Sequence, residues 1–224
     1  MASAPGVTNR EEGGFQMKQE ERREQTKRIL LESTEELIRE KGCSQTTLND
    51  IMKRSGMSKG AIFHYVSSKD ELFVHVLKAR LAEQNEHFMS EVNKQGDIKE
   101  FDGPMNTIIN SMSSLESRDD VSNLILMYLI GKSDQPEIAD IVAGFYKEAT
   151  ATSKQWIVTG QEAGVINDTI DAERTAELFE LLSFGLRMRG LIGVKGNVFS
   201  TKEYSDFITD ILRPGSKEGG REGL

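Results

Sequence analysis

Between Thr46 and Leu72 the chain reads TTLNDIMKRSGMSKGAIFHYVSSKDEL, and its most reactive surface chemistry is gathered there. Lys59 is followed by two residues almost without side chains, Gly60 and Ala61, and then by the consecutive rings Phe63, His64 and Tyr65. A lysine in the first turn of a helix opposes the helix dipole, which favours negative charge at that end. A neighbouring phosphate would remove the conflict. Gly60 and Ala61 would let a base edge or a sugar come close to the helix backbone. Each helical residue turns by about 100°, so three successive rings cannot all face one core. Rings with polar tips left outside suit sugar and phosphate contacts. The same residues also fit a small structural corner of two helices with half-buried aromatics.

Enzymatic chemistry finds less support. His64, His75 and His87 are the only histidines, and a two-histidine helical metal site needs an i, i+4 pair. His75 and His87 on one helix would stand about 120° apart and would not converge. The chain has no GxSxG, Walker A or GxGxxG run. Its single cysteine, Cys43, excludes an internal disulfide framework and a cysteine-based zinc site, and reads as a small packing residue. The expectation is a non-enzyme with no cofactor and no metal. The longest apolar run, Leu124–Ile130, is far short of a membrane span, and no N-terminal apolar stretch suggests a signal peptide. A cytoplasmic protein with no membrane partner is expected.

Charge is unevenly placed. The net charge is −8, yet Lys18–Arg80 holds 13 Lys and Arg against 10 Asp and Glu. A mildly basic N-terminal third therefore precedes an acidic body.

The elements that must position these groups are helical throughout. Residues 1–16 are small, polar and aperiodic and read as a disordered leader; the Gly-rich residues 214–224 read as a disordered tail. Ile29, Leu30, Ser33, Leu37 and Ile38 form one apolar face that ends at Gly42. Thr47 to Asp50 resembles a capping box opening a short helix over 48–55, with Leu48, Ile51 and Met52 inward. A turn at Gly56 leads to a second short helix over 59–65, capped by Ser58. Ser68 to Glu71 forms another capping box and starts a long helix over 70–93. Further helices are expected over 104–116, 119–131, 136–163 and 171–194, and from the Ser200 capping box to Leu212. With about nine helices and no convincing strand, the fold class is all-α in 224 residues.

A short helix, a turn and a second short helix make the helix-turn-helix pattern, whose second helix enters the DNA major groove. The run GMSKGAIFHYVSSKDEL, with TTLNDIM before it and a helix ending in EKG, resembles the DNA-binding signature of the TetR family of transcriptional repressors over about residues 25–75. Val66 departs from the family's usual Phe and should pack inward, while His64-Tyr65 reverses a commoner ring order. The resemblance implies a DNA-binding head over 17–69 and an effector-binding and dimerisation body over 70–213. It further implies phosphate or groove contacts from Thr47, Ser58, Lys59, Gly60, Ala61, Phe63, His64, Tyr65 and Lys69. Lys69 would point outward beside the Ser68 cap.

In the body, Leu178, Leu182 and Gly185 of the helix over 171–194, with Phe207 and Ile211 of the last helix, are the candidate dimer surface, since that helix is apolar on more than one side. Arg187 and Arg189 interrupt it and read first as paired ions at the dimer rim, and second as anchors for an anionic ligand. Met105, Ile109, Met112, Met127, Phe145 and Trp156 are candidates for lining a pocket for a largely apolar small-molecule effector, although an ordinary core needs the same residues. The expected activity is that of a homodimeric, ligand-responsive repressor on a palindromic double-stranded operator. A DNA-binding activator or a nucleoid-type protein is the alternative.

Overall fold

The computed structural model describes residues 11–96 and 100–213; the expected leader residues 1–10 and tail residues 214–224 lie outside them. Nine α-helices and no strand occur among the described residues: α1 (Glu11–Gln45), α2 (Leu48–Ser55), α3 (Lys59–Phe63), α4 (Lys69–Lys94), α5 (Asp102–Met112), α6 (Val121–Ile130), α7 (Pro136–Glu162), α8 (Ala172–Ile192) and α9 (Thr201–Leu212). The fold class is all-α. Helical backbone reaches back to Glu11, inside the leader expected over residues 1–16. The chain divides into two compact units after Leu72.

In the first unit, α1 buries Leu30, Leu31, Leu37 and Ile38. Its buried polar position Thr34 donates its hydroxyl to the Leu30 carbonyl at 2.7 Å, which satisfies that group inside the helix. Ile29, expected inward, is instead 40% exposed, one residue off the buried stripe. Gly42 breaks α1 with φ 76° and ψ 165°, a conformation that a side chain would strain. The chain then re-enters helix at Leu48, where Thr47 and Asp50 close a full capping box. Ile51, fully buried, anchors α2, while Leu48 and Met52 are half-buried. The last turn of α2 is tied to α1 by Arg54, which donates to Glu36 at 3.0 Å and to Glu40 at 2.9 and 2.7 Å. Gly56 at φ 69° ends α2 in the left-handed region and turns the chain into α3.

In the second unit, α5, α8 and α9 share a core around Met105, Met112, Phe179, Leu186, Tyr204 and Ile208. Gly190 brings α8 against backbone: a Cβ there would lie 2.5 Å from the Glu116 carbonyl oxygen. Glu116 latches the neighbouring segments. Its carboxylate accepts from Arg189 at 2.7 Å and from the Thr201 hydroxyl and N–H at 2.7 and 3.0 Å. Burial pushes the Glu116 carboxyl up, but Thr201 and Arg189 outweigh it and hold it below the ordinary value.

Candidate functional site

α3 is a five-residue helix held by its buried side. Ile62 is 1% exposed and Val66, just beyond its end, 4%. Val66 does pack inward. Ser58 caps the helix by accepting from the Ala61 N–H at 3.2 Å. The opposite surface carries Lys59, Gly60, Phe63 and His64, all exposed, with Ala61 and Tyr65 half-buried. Lys59 Nζ stands 5.5 Å from the Phe63 ring centroid. His64 and Tyr65 meet edge to face at 5.5 Å. No protein atom lies within 4 Å of where a Gly60 Cβ would be, and Gly60 has no positive φ. The fold therefore gives no reason for glycine at that position.

Thr47 is exposed at the start of α2, but its hydroxyl is already committed. It donates to Asp50 at 2.6 Å and accepts from the Asp50 N–H at 3.2 Å. Lys41 lies 2.7 Å from the same carboxylate. Lys41, and then the Thr47 hydroxyl and N–H, hold the Asp50 carboxyl far below the usual range.

Lys69 is corrected by the structure. Its ammonium turns inward, not outward, and donates to the Cys43 carbonyl at 3.1 Å and the Thr46 carbonyl at 3.0 Å. These carbonyls close the end of α1, where helical C=O groups lack intrahelical donors and a cation is favoured. Ser68 caps α4 by accepting from the Glu71 N–H at 3.0 Å, and the Glu71 carboxylate accepts from the Ser67 N–H and hydroxyl at 2.6 and 2.5 Å. Cys43 is buried and burial pushes its thiol up to about 12, consistent with a packing residue.

The six pocket candidates fall into two groups. Met105 and Met112, with half-buried Ile109, belong to the core shared with α8 and α9. Phe145 and Trp156 are buried on α7, and Met127 is half-buried on α6. Trp156 stacks on Phe88 at 5.2 Å and donates to Asn85 at 2.7 Å, so its indole N–H is satisfied. On the candidate dimer face, Leu178 is 41%, Leu181 57% and Phe207 37% exposed, Gly185 is open, and Leu182 and Ile211 are half-buried.

Arg189 pairs with Glu116, while Arg187 donates to the fully buried Asn123. Around Arg187 lies a polar cluster that the sequence reading missed: Arg80, Asp120, Asn123, Ser153 and Glu180. Asp120 caps α6 with one oxygen and accepts from Arg80 at 2.9 Å with the other. The spacing of Glu180, Phe184 and Arg187 on one face of α8 was the available signal. No group of residues suited to a metal ion occurs among the described residues, and none of their helices is long and apolar enough to cross a membrane.

Known proteins share the head and the fold. The family model for bacterial regulatory proteins of the tetR family matches residues 30–76. The chain is 33% identical over 54 residues to the HTH-type transcriptional regulator YfiR of Bacillus subtilis strain 168, a match covering 24% of this chain and 26% of that protein. It is 31% identical over 67 residues to an HTH-type regulator of Lactococcus lactis encoded in the lacX 3′ region, covering 30% and 34%. The match thus spans only about a quarter to a third of these relatives' length. A TetR-family regulator of Mesorhizobium loti superposes with a TM-score of 0.58 at 16% identity, covering 84% of this chain and 93% of that one. That likeness extends the shared fold across the body. Over residues 30–76 the chain thus matches the helix-turn-helix head of the tetR family of bacterial regulatory proteins, and its helical fold is similar to that of the Mesorhizobium loti regulator.

Proposed function

We propose that this chain is a cytoplasmic, homodimeric repressor that binds a palindromic DNA operator and leaves it when a small-molecule effector binds the body. The observation that carries the reading is the outer surface of α3. It pairs an exposed cation and exposed rings with a glycine that no neighbour in the protein requires. Lys59, Gly60 and Ala61 would lie in the major groove, with Ser58, Phe63, His64 and Tyr65 along the sugar-phosphate wall. The Thr47 hydroxyl would donate to a phosphate only by giving up its bond to Asp50, so it ranks last among these contacts. Lys69 would reach a phosphate only by leaving the Cys43 and Thr46 carbonyls to which it donates.

Two half-sites one DNA turn or more apart require a two-fold dimer. The exposed stripe of Leu178, Leu181 and Gly185 on α8, with Phe207 on α9, supports one there. An effector acts only by binding two conformations unequally. α4, with residues on both sides of the unit boundary, is the proposed connection between effector and head. Selection of bound duplexes from a random pool tests the reading: a recovered palindrome supports a site-specific dimer. Recovery of no preferred sequence, with cooperative salt-dependent coating of any DNA, would support the nucleoid-type alternative. Reporter transcription from the recovered site separates repressor from activator.

A further inference from the structure

The interior charges of the body are arranged for a ligand more polar than the apolar effector its hydrophobic residues suggest. Asn123 donates its amide to the carbonyls of Ser114, Leu115 and Ser117 at 2.9, 3.0 and 2.8 Å. With its NH2 side so committed, its oxygen is fixed as an acceptor, and it accepts from Arg187 Nη1. That bond is the only hydrogen bond of the Arg187 guanidinium among the described residues. The nearby carboxylates do not complete it. Both oxygens of Asp120 are used, one by the α6 cap and one by Arg80. Glu180 accepts from Ser153 at 2.7 Å and stands seven residues before Arg187 on α8, about 10 Å along the axis.

Arg187 is therefore a pinned cation in the body's interior with no direct counter-ion. Its Nε and Nη2 remain, the edge that takes a carboxylate by two parallel hydrogen bonds. No nitrogen of Arg187 is among the sealed, unpartnered polar atoms of the described residues, so this edge borders space that water can reach. Next to it along α8, Phe184 meets the Tyr146 ring edge to face at 5.5 Å, an apolar wall for the rest of a small molecule. Asp120 and Glu180 favour the Arg187 charge only at a distance, and a carboxylate at this edge would give the guanidinium the direct paired hydrogen bonds that neither supplies.

We propose that the body binds a small organic carboxylate, whose anionic end pairs with the Nε/Nη2 edge of Arg187 and whose apolar part lies against Phe184 and Tyr146. Arg80, bonded to Asp120 at 2.9 Å, adds attraction for an anion, and Glu180 sets a limit on how far its charge can extend along α8. The inference deepens the ligand-responsive reading and rests on it.

The test uses the full chain, with hexanoate, benzoate and phenylacetate as probes and the corresponding neutral amides as controls. Binding is read from the fluorescence of Trp156, the sole tryptophan, and from thermal unfolding. At least one carboxylate is expected to bind tenfold or more tightly than its amide. Arg187→Met should remove that preference. Should Arg187→Met fail to fold, Arg187→Lys keeps the charge but loses the two-donor edge, and should weaken the carboxylate several-fold while leaving the amide unchanged. Glu180→Gln should bind the carboxylate as tightly as the parent or more so. Amides binding as well as carboxylates, no probe binding at all, or a preference that survives both Arg187 substitutions would overturn the proposal. If a palindromic operator is recovered and no carboxylate binds, the regulator reading stands and this assignment falls. If a carboxylate binds with the expected dependence on Arg187 and no DNA is selected, the regulator reading falls and the interior site stands.

Discussion

Replacing Gly60 separates what the fold needs from what DNA needs. The position is the second residue of α3, it lacks a positive φ, and a Cβ would meet nothing within 4 Å. Glycine is a poor helix residue, about 1 kcal/mol worse than Ala, and Val recovers a few tenths of that. Gly60→Ala and Gly60→Val should therefore leave the head as stable as the parent or more so, with Tm unchanged or raised by up to about 4 °C. Binding should respond in the opposite direction. A branched side chain holds the helix away from the groove, and each good base contact is worth about 1–3 kcal/mol. Losing two of them weakens operator binding by roughly 30-fold to 25,000-fold. Non-specific affinity rests on phosphates and should change by less than about threefold. The assay is fluorescence anisotropy with the selected operator and a scrambled duplex at two salt concentrations, beside thermal unfolding by circular dichroism. Parental operator affinity in Gly60→Val would show that α3 does not approach DNA through this face. A large fall in Tm would refute the claim that the space around Gly60 is open.

Lys69→Met should act on stability rather than on DNA. Two charge-assisted bonds to carbonyls at the end of α1 are lost, about 3–6 kcal/mol before relaxation; a salt slope reduced by one unit in the folded protein would instead support Lys69 as a phosphate contact. Gly190→Ala should destabilise by about 1–3 kcal/mol despite better helix propensity, because the new methyl meets Glu116 backbone at 2.5, 2.6 and 2.8 Å and not a side chain that can swing away; unchanged unfolding would show that α8 shifts freely. Gly185→Leu, in open space, should keep the protomer folded and raise the dimer dissociation constant at least tenfold in analytical ultracentrifugation, and an unaltered dimer would place the interface elsewhere. Burial raises the Glu180 carboxyl, although Ser153 and Arg187 oppose it, so its ionisation costs stability above the raised value and nothing below the ordinary one. Glu180→Gln should thus raise Tm at about pH 8 and leave it unchanged at about pH 4; equal shifts at both would assign the effect to packing.

Helix starts were legible wherever a short polar side chain could take the first free N–H groups. Thr47, Ser58, Asp120, Asp171 and Ser200 all cap as their residue types require. This chemistry is local, within three residues, so the sequence contains it entire. Lys69 was misread for the converse reason. Its partners, the Cys43 and Thr46 carbonyls, lie 26 and 23 residues away and are exposed by the break at Gly42. The pocket candidates show the same limit. Met105 and Trp156 are equally apolar in sequence, yet one packs with α9 and the other stacks on Phe88 of α4. A one-dimensional pattern identifies which residues avoid water, not which of them share a wall.

α8 shows how much a single helix can hold once both of its faces are considered. Turning by about 100° per residue, it presents Leu178, Leu181 and Gly185 outward and Glu180, Phe184 and Arg187 toward α6 and α7. Its apolar character therefore does not average out to one buried core, and Arg187 and Arg189 do not share a role despite being two residues apart. Arg189 is latched through Glu116 to the start of α9, so a displacement of that end of α8 must strain the Thr201 bonds as well. In the proposed dimer, an anion drawn to Arg187 would act on the inner face of the same rigid element whose outer face meets the partner. The ligand and the dimer surface then need no chain of intervening contacts, because one helix with two discrete positions is sufficient to couple them.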